Sequence, residues 1–139
     1  MFPPTYIPND SERISLYREL DNMEEEREIL AFTERLKDRF GKIPKEGKEL
    51  IRIVRLRRMA KRLGMEKLVL KKGQMSIFLI NNPDSPYYQS EAFDKLLAFI
   101  QKHPRECNLR DQNGKRSIVI KNVRTVETAC ALVEEIEKS

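Results

Sequence analysis

The chain has 139 residues, 40% of them hydrophobic and 35% charged, with a formal net charge of +5 and an isoelectric point near 9.3. That length suits one domain of about 100 to 150 residues with a real core, and no apolar run nears the roughly 18 residues of a bilayer span, nor does MFPPTYIPND have the basic start and apolar stretch of a signal peptide. Two distant cysteines, Cys107 and Cys130, argue against a disulfide scaffold or a CxxC pair and for a reducing cytoplasm, while 22 acids against 27 bases leave an acidic partner or nucleic acid conceivable without singling it out.

In chain order, three prolines within Met1 to Pro8 favour extended backbone. This opening predicts a strap that builds no core, so residues 1–9 read as a linker and 10–139 as a single domain of a longer protein. Asn9 followed by Glu12 predicts a capping box, with Ile14, Tyr17 and Leu20 as the helix's apolar stripe. A second helix starts in the acidic run Met23 to Glu28, where carboxylates suit the positive end of the helix dipole, and buries Ile29, Phe32, Leu36 and Phe40. Gly41 supplies its left-handed stop, and Pro44 opens a third helix as its first residue. That helix runs to a second glycine stop at Gly64, with Ile53, Leu56, Ala60 and Leu63 inward.

Beyond Gly64 the apolar period shortens to that of strands. KLVLKKGQMSIFLI predicts a hairpin turning at Lys72-Gly73, and CNLRDQNGKRSIVI a second turning at Asn113-Gly114. Ser90 caps a helix carrying Phe93, Leu96, Leu97 and Ile100; Thr125 caps a last one carrying Ala129, Leu132, Val133 and Ile136. Helices followed by two hairpins alternating with helices predict an α+β fold, an antiparallel sheet packed on helices.

Little in the sequence points to chemistry. GKIPKEGK, Gly41 to Lys48, is one residue too long between its glycines for a phosphate-binding loop, has Glu49 where a magnesium-binding hydroxyl belongs, and follows no strand. His103, the only histidine, stands at a predicted helix end without metal-ligand spacing to any Cys, Asp or Glu. No nucleophile motif occurs, so no catalytic residue, metal or cofactor is expected, and the domain by itself reads as a non-enzyme. The third helix is the unusual feature. Between Ile51 and Gly64 it has Arg52, Arg55, Arg57, Arg58, Lys61 and Arg62 and no acid, with Arg55, Arg58 and Arg62 on one outward line. Such a line could be a solvated face, could pair with the acids of Glu24 to Glu28 or of a partner protein, or could track phosphates as a nucleic-acid-binding surface.

RISLYREL at Arg13–Leu20, RLKDRFGKIP at Arg35–Pro44 and RIVRLRRMAKRLGMEKL at Arg52–Leu68, in this order after YIP, resemble the C-terminal domain of bacterial transcription-repair coupling factors. The resemblance covers roughly residues 5 to 105. It implies a regulatory module of a large ATP-dependent DNA translocase that displaces stalled RNA polymerase and recruits the repair protein UvrA. In that family the domain docks on the N-terminal UvrB-like module, masks its UvrA site and restrains the motor. By the same resemblance Glu34, Asp38 and Arg39 become the expected partner interface. Arg35 departs from the family pattern, in which an acid commonly precedes the Leu-x-Asp-Arg-Phe-Gly stretch, so the expectation is that either Glu34 takes its place or the partner surface differs.

Overall fold

Five α-helices and four strands follow one another in the computed structural model, which describes residues 1–139. They are α1 (Asp10–Asp21), α2 (Glu26–Phe40), α3 (Lys45–Arg62), β1 (Lys67–Lys71), β2 (Gln74–Phe78), α4 (Glu91–Lys102), β3 (Cys107–Gln112), β4 (Lys115–Lys121) and α5 (Val126–Lys138), with a 3-10 turn at Pro86–Gln89 before α4. This is the expected α+β order. The chain divides into two compact units, Met1–Arg58 and Met59–Ser139, and the division falls near the end of α3.

In the first unit the proline-rich opening does build core. Phe2 and Ile7 are fully buried, clustered with Leu20, Ile29, Phe32, Leu36, Ile51 and Val54. Proline fixes φ but not the aim of neighbouring side chains. Here the Pro3 carbonyl accepts the amides of Tyr6 (3.0 Å) and Ile7 (3.1 Å), and the turn so closed leaves Phe2 and Ile7 in the core. Each such side chain contributes about 1.5–3 kcal/mol by burial, which outweighs the preference for an extended linker. The Tyr6 hydroxyl donates to the carbonyls of Gly41 (2.8 Å) and Leu36 (3.2 Å), tying this segment to the end of α2.

Asn9 caps α1 by accepting the Glu12 amide at 2.9 Å, while Glu12 Oε2 takes a 2.7 Å ion pair from Arg39. The reciprocal capping box forms instead at α2, between Glu25 and Glu28. Ile14 is 39% exposed, because the buried side of α1 runs through Leu20 with the half-buried Leu16 and Tyr17. Phe40 is also only half-buried, its ring 5.6 Å from that of Tyr6. Gly41 ends α2 at φ +85° with ψ −163°, a glycine conformation but an extended one. Pro44 lies one residue outside α3, its carbonyl accepting the Lys48 amide at 3.0 Å. Within α3, Ile51, Val54, Leu56, Met59 and Ala60 are buried, as is Leu63 just past its end, and Ile53 is displaced to a half-exposed flank.

In the second unit α3 ends in a Schellman motif. The Met65 amide reaches the Ala60 carbonyl (3.0 Å) and the Gly64 amide the Lys61 carbonyl (3.1 Å), with Gly64 at φ +76°. Both hairpins turn where expected, on Lys72-Gly73 and Asn113-Gly114, each pair at positive φ as a type I′ turn needs. The hairpins join into one antiparallel sheet of order β1-β2-β4-β3, with Met75 opposite Ile120 and Ile77 opposite Ile118 on its buried face. Ser90 and Thr125 cap α4 and α5 as expected. The buried residues of α4 are Leu96 and Phe99, with Phe93, Leu97 and Ile100 half-exposed; α5 buries Ala129, Cys130, Val133 and Ile136, with Leu132 at its margin.

The 3-10 turn places Tyr87 against the α3 stop, its hydroxyl donating to the Leu63 carbonyl at 2.7 Å. Burial first, then the neighbouring Tyr88, push the Tyr87 phenol up to about 12. The folded state therefore favours neutral Tyr87. Its stabilising share is complete below the unfolded value near 10 and is lost as pH rises through about 12. Thermal melts should accordingly show a fall in Tm from pH 10 to pH 12 that Tyr87→Phe reduces; an identical fall in the variant would dissociate Tyr87 from alkaline unfolding.

Candidate docking surface

Helix α2 has two chemically different sides. Ile29, Phe32 and Leu36 are buried at the i, i+3, i+7 spacing of one stripe, and the opposite side carries Leu30, Ala31, Glu34 and Asp38, all exposed. Leu30, Glu34 and Asp38 stand four residues apart and so form one line. Leu30 is 53% exposed, an apolar end to that line that was not among the expected interface residues although the helical projection places it opposite the stripe. Glu34 touches only Lys37, at 3.4 Å, and Asp38 makes no side-chain hydrogen bond or ion pair.

Of the three residues expected at an interface, Arg39 is turned elsewhere. Its guanidinium pairs with Glu12 on α1 and lies 5.1 Å from the centre of the Phe40 ring. Arg35 is likewise drawn toward α1, paired with Glu19 and 5.5 Å from the centre of the Phe32 ring. These two arginines rim a hollow of about 220 Å³ whose other lining includes Glu12, Leu16, Leu36 and Phe40. Glu34 and Asp38 are thus brought together, and Arg39 is not on their line.

The basic residues of α3 are largely engaged within the chain. Arg55 forms a two-pronged pair with Glu26, Nε to Oε2 at 2.9 Å and Nη2 to Oε1 at 2.8 Å. Arg57 holds the Asp21 carboxylate at 2.7 Å, and Arg62 reaches Glu137 at 3.2 Å. Arg58 does not belong to an outward line: its Nη2 donates to the Asp21 carbonyl at the negative end of α1, and its Nε is buried without a partner. Pairing with acids, including one from the Glu24 to Glu28 run, is therefore what this helix does inside its own chain.

Elsewhere, His103 caps the end of α4, its Nε2 3.2 Å from Glu135 and its ring 4.5 Å from Phe99. Burial first, then the Glu106 carboxylate, raise the Cys107 pKa and keep the sulfur a thiol at neutral pH. No three His, Cys, Asp or Glu side chains gather where they could hold a metal ion. No helix is long and apolar enough to cross a membrane.

The family model described as TRCF domain matches residues 1–90. The transcription-repair-coupling factor of Escherichia coli (strain K12) is 31% identical over 110 residues, covering 78% of this chain and 9% of the relative. That of Rickettsia prowazekii (strain Madrid E) is 27% identical over 126 residues, covering 88% of this chain and 11% of the relative. The chain thus spans about a tenth of the length of these relatives. A crystal structure of the C-terminal domain of a transcription-repair coupling factor superposes with a TM-score of 0.79 over 99% of this chain and 86% of that one, at 15% identity, so the likeness there is one of fold. With a family model over most of the chain, and one relative above 30% identity across more than two thirds of it, the chain belongs to the TRCF domain family, the domain of transcription-repair coupling factors.

Proposed function

We propose that this domain is the regulatory, protein-binding module of a transcription-repair coupling factor, acting by an intramolecular clamp. In this reading the parent is a cytoplasmic ATP-dependent DNA translocase that removes stalled RNA polymerase and recruits UvrA. The domain docks on the parent's N-terminal UvrB-like module, masks the UvrA site and restrains the motor until polymerase is engaged. The observation that carries the reading is Asp38, exposed on α2 without an intramolecular partner beside the lightly held Glu34, while nearby Arg35 and Arg39 are each satisfied by an acid of α1. An exposed acidic pair, of which only Glu34 has a neighbouring cation, preceded along the helix by the exposed Leu30 suits a basic surface with an apolar contact at one edge. Docking biases a two-state equilibrium by the difference in contact energy between closed and open forms, and competing contacts with polymerase reverse it.

The test is Glu34→Ala with Asp38→Ala. Both are surface changes, so the isolated domain should keep its stability within about 0.5 kcal/mol. In the full-length parent, losing one side of a desolvated charge pair costs about 2–5 kcal/mol, so UvrA binding and ATP-driven translocation should both rise without polymerase. A double variant that folds normally and leaves both at wild-type levels would remove this helix face as the lock.

A further inference from the structure

The strand register sorts the sheet's side chains onto two faces, since residues directly opposite one another on paired strands point the same way. One face holds Met75, Ile77, Ile118 and Ile120, all buried. The other carries three rows: Lys67, Phe78, Ser117 and Arg110; then Val69, Ser76, Val119 and Asn108; then Lys71, Gln74 and Lys121, of which Lys67, Phe78, Arg110, Asn108, Lys71, Gln74 and Lys121 are exposed and Val119 is buried. Lys115, two residues before Ser117 on β4, shares this face. Four of the five excess positive charges of the chain lie in residues 59–139, with fourteen bases against ten acids.

The charge on this face is unopposed. Within the four strands the one acid is Asp111, which stands opposite Arg116 and so belongs to the other face, where it meets the Arg116 Nε at 3.4 Å. Lys67, Lys71, Arg110, Lys115 and Lys121 have no carboxylate partner, in contrast to Arg55, Arg57 and Arg62 on α3. The face ends in a concavity lined by Lys72, Gly73, Gln74, Lys121, Asn122 and Arg124, again without an acid. Phe78 is 40% exposed on the central strand β2, and the Lys67 Nζ lies 5.7 Å from the centre of its ring.

Lysines on an edge strand also discourage edge-to-edge pairing, and that accounts for Lys67 and Lys71 on β1. It does not account for Lys121 on central β4 or for an exposed phenylalanine on central β2. Like charges gathered on one surface repel one another and draw a polyanion. The neighbouring Ser76, Ser117, Gln74 and Asn108 offer neutral hydrogen-bonding groups instead of competing charge. A four-stranded face with an exposed aromatic offers a platform on which an unstacked base stacks, the phosphates lying on the flanking cations.

We infer that the solvent-facing side of this sheet binds single-stranded nucleic acid, with Lys67, Lys71, Arg110 and Lys121 on the phosphates and Phe78 stacking on a base. The surface is on the sheet, not on the arginine-rich helix, and does not depend on the α2 docking face. Binding is sequence-tolerant, because a ring face stacks on any base and the cations read only the backbone.

Fluorescence anisotropy of the 139-residue chain with a short labelled oligothymidylate, across about 50 to 200 mM salt, tests the inference. Saturable binding is expected, steepest in its salt dependence for the wild type. Lys67→Gln, Lys71→Gln and Lys121→Gln together should flatten the log–log salt slope by about 2, at about 0.7 per lost phosphate contact. Phe78→Leu keeps apolar bulk but removes the ring face, and should weaken binding by at least about fivefold with the slope unchanged. Variants are compared only where their melting matches wild type; for Phe78, Phe78→Tyr should restore affinity. No saturable binding at the lowest salt would overturn the inference. So would loss on Arg55→Gln with Arg62→Gln but none on the sheet variants. Equal affinity for polyglutamate, or for a duplex of the same length with Phe78→Leu silent, would reassign the face to an acidic protein surface or to duplex DNA and refute it.

Discussion

Gly64→Ala should unfold the domain more readily by about 2–5 kcal/mol. Two penalties combine. Gly64 sits at φ +76°, where an L-residue pays about 1–2 kcal/mol, and a Cβ built there overlaps the Tyr87 ring, whose Cδ1 and Cζ would lie at 2.7 and 2.8 Å. Overpacking of that kind costs a further 1–3 kcal/mol or so. The ring has little room to retreat, because its hydroxyl is tied to Leu63 and it packs on Tyr88 and Phe93 at centroid distances of 5.3 and 5.6 Å. Urea unfolding of Gly64→Ala in wild-type and Tyr87→Leu backgrounds separates the two penalties. The substitution should cost less where the ring is gone; equal cost in both would show that backbone conformation alone is responsible.

Phe32→Ala should be comparably severe, at roughly 3–5 kcal/mol. The ring is fully buried, 6.2 Å from that of Phe2, and lies within the cluster that includes Ile7, Leu20, Ile29 and Leu36. Removing it leaves a cavity that helices on either side fill only in part. Phe40→Ala, eight residues along the same helix, should cost less than Phe32→Ala, since its ring is only partly buried at the margin of the cluster and it packs against the Tyr6 ring. Denaturation midpoints at constant slope decide the matter. If Phe40→Ala proved as costly as Phe32→Ala, the buried stripe of α2 would extend to its last residue.

The contrast between these two phenylalanines marks what the sequence could settle. Local physics was readable from it: the caps at Asn9, Ser90 and Thr125, the stop at Gly64, the turns at Lys72-Gly73 and Asn113-Gly114, and with them the α+β order, depend on residues within a few positions of each other. The three family blocks were legible for the same reason, being contiguous strings. The resemblance singles out Glu34 and Asp38, and the structure places both on the exposed side of α2, four residues apart.

What depended on distant residues was decided only in three dimensions. That Phe2 and Ile7 enter a core follows from a turn around Pro3 and from space left by helices up to about fifty residues away, which no local pattern encodes. Arg55 meets Glu26, Arg58 the Asp21 carbonyl, and Arg57 the Asp21 carboxylate, pairs whose members are too far apart in sequence for any spacing rule, so the charge of the third helix looked more available than it is. The pairing of β2 with β4 likewise joins hairpins separated by a helix. That register alone aligns Lys67, Phe78 and Arg110 in one row, because a strand's alternation fixes which residues share a face but only its partner fixes which of them become neighbours.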